Sequence, residues 1–228
     1  MQLRGEEIQR KVLHLIFGAI IPAGIFYIPR YAPALDWLPR SVPPWAWAPA
    51  ILAVVFAVWI SIEFARIRHP AVKAHFHRSF GSMLREEEHT RMTGATYIIL
   101  ASLICSIIFK DYRHVAAMAL ATFIWGDAVA ALVGQSIGKI KIGKKTLEGS
   151  IGCLVLCLIA FFCIFPTIPG LLDAWNNGIP AVLGITASLC VTVMELFPIR
   201  IRSFELNDNL TVPVVTGVVM VLLYPVLR

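Results

Sequence analysis

Seven apolar segments follow one another along the 228 residues, each near the ~20 residues that a bilayer-crossing helix needs. They run over residues 12–28, 47–64, 95–109, 115–137, 150–168, 179–196 and 211–227. In lipid every backbone N–H and C=O must be satisfied within the segment, so such runs are expected to be helices. Prolines stand at their ends (Pro29, Pro43, Pro44, Pro166, Pro169, Pro180 and Pro198), as suits helix boundaries. The longest connections, around 30–46 and 65–94, leave no room for a soluble domain. Composition agrees. The chain is 58% hydrophobic and 15% charged, against about 45–50% and 25% for soluble domains. The expected fold class is therefore an all-α, polytopic integral membrane protein, one domain over 1–228, with about seven transmembrane helices. The first run is read as a retained helix: Glu6, Glu7, Arg10 and Lys11 precede it, and no small-residue cleavage site follows.

Charge orients this arrangement. Positive residues crowd the odd-numbered loops: Arg10 and Lys11, then the 66–91 connection, then Lys139, Lys141, Lys144 and Lys145, then Arg200 and Arg202. The other side has few, among them Arg30, Arg40 and Lys110. Positive loops mark the cytoplasm, so the N-terminus is expected inside and the C-terminus outside. A net charge of +6 suits loops held against anionic lipid, and would equally draw a polyphosphate. No nucleic-acid partner is expected. The five cysteines lie in apolar runs without metal or redox spacing, and read as small buried hydrophobes. His69, His75, His77 and His89 are scattered along one connection, in no metal-binding pattern.

One segment breaks the apolar rule. GDAVAALVGQSIGK (126–139) carries Asp127 well inside a membrane-length run. An acid at that depth costs roughly 2.5–3.5 kcal/mol and is a functional candidate by default. Asp127, Ala131, Gly134 and Gly138 share one helical face, a carboxylate followed by a groove of small residues. Gly126, Ala130, Gly134 and Gly138 form an overlapping ridge that would also serve close helix packing. Next comes KIKIGKKTLEGS (139–150), four lysines before a new helix. Gly143 permits a tight turn, and Thr146 is placed to cap the helix. Lysines beside a helix N-terminus suit an anion, although GxxxxGK[ST] is absent. Acid, base and glycine together point to phosphate chemistry, with Mg²⁺ taking carboxylate and phosphate oxygens. Glu148, Glu195 and Asp208 lie at the same membrane level and are further acids within reach of such a site. Glu63 and Arg66, three apart, read as a structural ion pair. Arg85 and the acids after it read as a solvated run.

In order along the chain, EEIQRKVLHLIFG (6–18), EFAR (63–66), LREEEHTRMTGATY (84–97), GDAVAALVGQSIGK with KKTLEGS (144–150), and NDNLTVP (207–213) resemble the motifs of the CTP-dependent lipid kinases. These are dolichol kinase, phytol and farnesol kinase, and the yeast-type CTP-dependent diacylglycerol kinase. The resemblance covers nearly the whole chain. It implies transfer of the γ-phosphoryl group of CTP, with Mg²⁺, to the hydroxyl of a membrane lipid alcohol at the cytoplasmic face. By motif, Arg10, Lys11, Asp127, Gly134, Lys145, Thr146, Glu148, Gly149, Asp208 and Asn209 carry over as site residues. Asn207 departs from the pattern, standing where many relatives have a second acid.

On this reading the triphosphate lies along Gly134 and Gly138, beneath Lys139, Lys144 and Lys145. Asp127, with Asp208 or Glu148, holds the metal. Lys145, Lys11 and Arg10 stabilise the transferring group, and His14 shares the helical face of Arg10. Asp127 could instead act as the base. A homodimer is open, and a cell membrane is the expected location in a prokaryote. Phosphatidate cytidylyltransferases share GDxxAxxxGxxxGK…KTxEGS and are the alternative, but their longer C-terminal signature does not follow Glu148. A transporter is a third reading, and no repeat supports it.

Overall fold

The computed structural model describes residues 5–81, 84, 86–201 and 204–226. Its main elements are eight helices: α1 (Gly5–Tyr31), α2 (Trp47–Arg68), α3 (Pro70–Phe80), α4 (Gly94–Ile108), α5 (Arg113–Ile137), α6 (Leu147–Ile159), α7 (Ala181–Leu196) and α8 (Asp208–Leu223). Two antiparallel hairpins interrupt them, β1 (Lys141–Ile142) with β2 (Lys145–Thr146), and β3 (Arg200–Ile201) with β4 (Phe204–Glu205). Each of the seven apolar segments overlaps one of these helices, with ends that differ: α8 begins at 208, before the apolar run, α7 begins at 181, after the run has started, and α6 stops at 159, short of the end of its run.

Among the described residues, four stretches are long and apolar enough to cross a membrane: Pro44–Arg68, Arg113–Ile137, Leu147–Thr167 and Asp208–Val226. Gly94–Ile108 and Ala181–Leu196 are shorter apolar helices. The expected 65–94 connection is not a bare loop. Pro70 at the first turn starts α3, Phe76 is its buried anchor, and Lys73, His75 and Arg78 are exposed.

α5 is the axis of the bundle. It packs against α1, α4, α6, α7 and α8. Its apolar window is 78% buried, against 22% for that of Pro44–Arg68. The sequence explains the difference. Alanines at 116, 117, 119, 121, 128 and 130 keep its surface narrow, so neighbouring helices approach closely. Gly126 touches α6 and α7, where a Cβ would lie 2.8 Å from Cys153 Sγ. Away from the lysine loop, Met118, Phe161, Phe165, Leu172 and Trp175 fill the core. Cys105, Cys153 and Cys157 are buried as expected, but Cys163 is exposed, because its helical position turns away from the core.

Chemistry gathers at the opposite end. The C-terminal ends of α2 and α7 and the N-terminal ends of α4, α6 and α8 meet there through side-chain contacts. Glu63 and Arg66 form the expected ion pair, fully buried, with the Arg66 Nη2 to Glu63 Oε2 distance at 2.6 Å. Arg66 also donates to the carbonyls of Glu88 (2.9 Å) and Arg91 (2.6 Å), and its guanidinium lies 5.1 Å from the centre of the Phe76 ring. Glu63 Oε1 accepts from the Thr93 hydroxyl at 2.6 Å. This pair therefore fastens the 88–93 segment to α2 and sets where α4 begins.

Candidate active site

The 139–146 loop folds as a hairpin because Gly143, at φ +60°, takes the left-handed turn that other residues resist. Leu147 N–H then donates to Ile140 O at 2.9 Å, closing the hairpin onto α6. The turn separates the lysines. Lys139, Lys141 and Lys144 are exposed, whereas the Lys145 side chain keeps only 29% of its surface. Its ammonium donates to Glu195 Oε1, at the end of α7, and lies 3.5 Å from Asp208 Oδ2, at the start of α8. Asp127, on α5, is 6% exposed, and its charge also acts on Lys145. Burial opposes the charge on Lys145. Glu195, Asp208 and Asp127 outweigh that and hold its pKa above the ordinary lysine value. Two carboxylates from two helices thus contact one ammonium, and a third, Asp127 on α5, acts on it through its charge.

The neighbouring motif residues are structural neighbours of this cluster. Thr146 is the N-cap of α6, its hydroxyl accepting from Gly149 N–H at 3.2 Å. A Cβ at Gly134 would lie 2.6 Å from Thr146 Oγ1, and one at Gly149 would lie 2.5 Å from Ala130 O. The small-residue face of α5 is thus where α5 receives Thr146 and the start of α6. Asn207 caps α8 by accepting from Asn209 N–H at 3.0 Å. The Asn209 amide donates to Gly94 O at 3.1 Å, tying α8 to α4. A Cβ at Gly94 would lie 2.7 Å from the Asn209 amide nitrogen.

Glu148 behaves differently from the other acids. Its carboxylate accepts from Ile140 N–H at 3.2 and 3.3 Å, bracing the hairpin. Among the described residues, no three acids, histidines or cysteines gather to hold a metal ion by themselves. Mg²⁺ commonly needs only one or two carboxylates, with phosphate and water completing the shell. Lys139 and Lys144 are exposed on the hairpin, and Lys144 lies 3.7 Å from Glu87. The side chains of Arg10, Lys11 and His14 lie outside the described residues, as does Arg85. His77 and His89 stack at 4.7 Å without a third metal-type neighbour.

Glu195, named from the sequence only as a further acid within reach, is not among the residues that the motifs carried over. It is 1% exposed and makes the closest contact to Lys145. Its only signal is an acid at the end of an apolar run.

No protein-family model matches the chain, and no solved structure does. Curated relatives do. The chain is 27% identical to CTP-dependent diacylglycerol kinase 1 of Schizosaccharomyces pombe, over 95% of this chain and 93% of that protein. It is 24% identical to CTP-dependent diacylglycerol kinase 1 of Eremothecium gossypii, over 94% of this chain and 66% of that one. It is 27% identical to phytol kinase 1, chloroplastic, of Arabidopsis thaliana, over 55% of this chain and 41% of that one.

Proposed function

We propose that this chain, a relative of the CTP-dependent lipid kinases, moves the γ-phosphoryl group of CTP onto the hydroxyl of a membrane lipid alcohol. The carrying observation is the buried Lys145 among Glu195, Asp208 and Asp127, at the polar end of an otherwise apolar bundle. Similarity to diacylglycerol kinases along nearly the full chain supports the same reaction. Diacylglycerol and phytol are the first acceptors to test, since they name the relatives.

Phosphoryl transfer needs positioning and charge neutralisation more than covalent help. Here the lipid hydroxyl waits at headgroup level while its tail stays in the bilayer. The nucleotide arrives from the cytoplasm, the side that positive loops mark. Its phosphates meet the exposed Lys139 and Lys144 first. Lys145 then turns from its carboxylates to the γ-phosphoryl group. Asp127 and Asp208 would hold Mg²⁺, which supplies Lewis-acid neutralisation of phosphate charge when bound. α1, the two shorter apolar helices and the four long stretches make seven crossings, N-terminus inside and C-terminus outside.

The test uses purified protein in lipid vesicles with CTP labelled at either the α or the γ phosphate. Label reaching diacylglycerol or phytol from the γ position alone supports the kinase. Lipid labelled from the α position would make the protein a cytidylyltransferase. Absence of label from both overturns both readings.

A further inference from the structure

Two acids in this bundle are almost completely buried, and they are treated very differently. Glu63 has both oxygens met: Oε2 by Arg66 at 3.0 and 2.6 Å, Oε1 by the hydroxyl and N–H of Thr93 at 2.6 and 3.3 Å. Glu195, 1% exposed, has one oxygen on Lys145, and its other, Oε2, is buried with no hydrogen-bond partner. A buried anionic oxygen left unmet is costly, and such groups in native proteins call for an explanation. Glu63 has the bonding of a structural acid. Glu195 has a vacant acceptor next to the lysine of the site.

The chemistry of the missing partner can be narrowed. A phosphate oxygen is itself an anionic acceptor and is excluded. The proposed Mg²⁺ is assigned to Asp127 and Asp208, so Glu195 is read as a proton acceptor and not as a ligand. Bulk water does not reach the atom. What fits is a neutral O–H donor, and Glu195 stands at the end of the apolar helix α7. The proposed substrate brings one such group, its alcohol.

We propose that Glu195 is the catalytic residue that accepts the proton of the lipid hydroxyl, an inference that rests on the kinase reading above. The hydroxyl oxygen forms its bond to the γ-phosphorus. The bond from the γ-phosphorus to the bridging oxygen breaks, and CDP leaves with that electron pair. The hydroxyl proton passes to Glu195 Oε2 and is released to water after product departs. The Lys145 contact gives the step an order. While Lys145 sits on Glu195, the carboxylate is a poor base. Once the phosphates draw the ammonium away, the anion loses its counter-ion and takes a proton more readily. Asp127 is then left to its proposed role of holding the metal.

The experiment compares wild type with Glu195→Gln, which keeps size and removes the anion. It measures kcat with diacylglycerol or phytol, KM for CTP, and equilibrium binding of labelled CTP. The expected result is a loss of about 100-fold or more in kcat, with CTP affinity within threefold of wild type. A kcat above one tenth of wild type overturns the assignment. So does a loss of CTP affinity in step with rate, which would make Glu195 only a holder of Lys145. If thermal unfolding shows Glu195→Gln misfolded, Glu195→Asp decides. It keeps the charge beside Lys145 and withdraws the oxygen by one methylene. Normal CTP affinity with kcat down at least tenfold supports the proposal, and a wild-type kcat overturns it. A wild-type protein that labels no lipid alcohol sinks the kinase reading itself, and this inference with it.

Discussion

At the scale of single residues, Asp127 and Lys145 were legible because each breaks a local pattern. One is a carboxylate deep in an apolar run, the other the last lysine before a capped helix. Glu195 breaks no pattern, since acids commonly end helices, and only the folded chain reveals its burial beside Lys145. Glu148 shows the reverse: its motif position promised a ligand, and the hairpin turned it to Ile140 N–H. Asp127→Asn is expected to abolish transfer of γ-label from CTP to lipid while membrane insertion is unchanged. Near-normal transfer would remove Asp127 from the mechanism. Lys145 makes a pH statement. Its folded pKa lies above the ordinary 10.5, so its ion pairs contribute fully below that value and are lost as pH rises through the raised one. The melting-temperature gap between wild type and Lys145→Met should therefore stay constant from about pH 7 to 9.5 and narrow only above about 10.5. A gap that closes near neutrality would contradict the raised pKa.

At the scale of elements, the helices were legible from hydropathy, and their ends were not. Asp208 and Asn209 belong to α8 because Asn207 caps it, although hydropathy starts that helix at 211. α3 escaped notice because its apolar content is one anchoring face around Phe76, too little for a hydropathy scan. The Glu63–Arg66 pair was expected from its three-residue spacing. Its partners, the carbonyls of Glu88 and Arg91 and the hydroxyl of Thr93, are 22 to 30 residues away and were not. Arg66→Ala strands a fully buried carboxylate and two carbonyls, with an expected cost of about 3–5 kcal/mol. Replacing the pair together, Glu63→Leu with Arg66→Met, should recover much of that loss. Denaturant unfolding in detergent measures both, and a double variant as unstable as the single would show that the carbonyl contacts dominate.

At the scale of the whole molecule, sorting charges to one end is what turns an apolar bundle into a site. Several helices contribute their polar ends to one place, so no single motif could carry the chemistry alone. The same sorting makes a prediction about sidedness. A cysteine at Asp36, whose side chain is 94% exposed, should react with a membrane-impermeant thiol reagent added outside intact cells. One at Lys144, 79% exposed, should react only when the inner face is opened. The opposite pattern would reverse the orientation and put the lysine hairpin out of reach of cytoplasmic nucleotide.

The amino-acid order by itself determined that this chain is a set of apolar helices, which ones carry charge at their ends, and that an acid and a lysine-rich turn stand next to each other. These are local properties: hydropathy over ~20 residues, helical periodicity, and the turn preference of glycine act within one segment. Only the tertiary structure decided which acids share Lys145, that Glu148 is drawn off to the hairpin, and that Glu195 keeps an oxygen unmet. Those depend on how α5, α6, α7 and α8 pack, and electrostatic contact between residues 50 and 63 positions apart has no local signal to read.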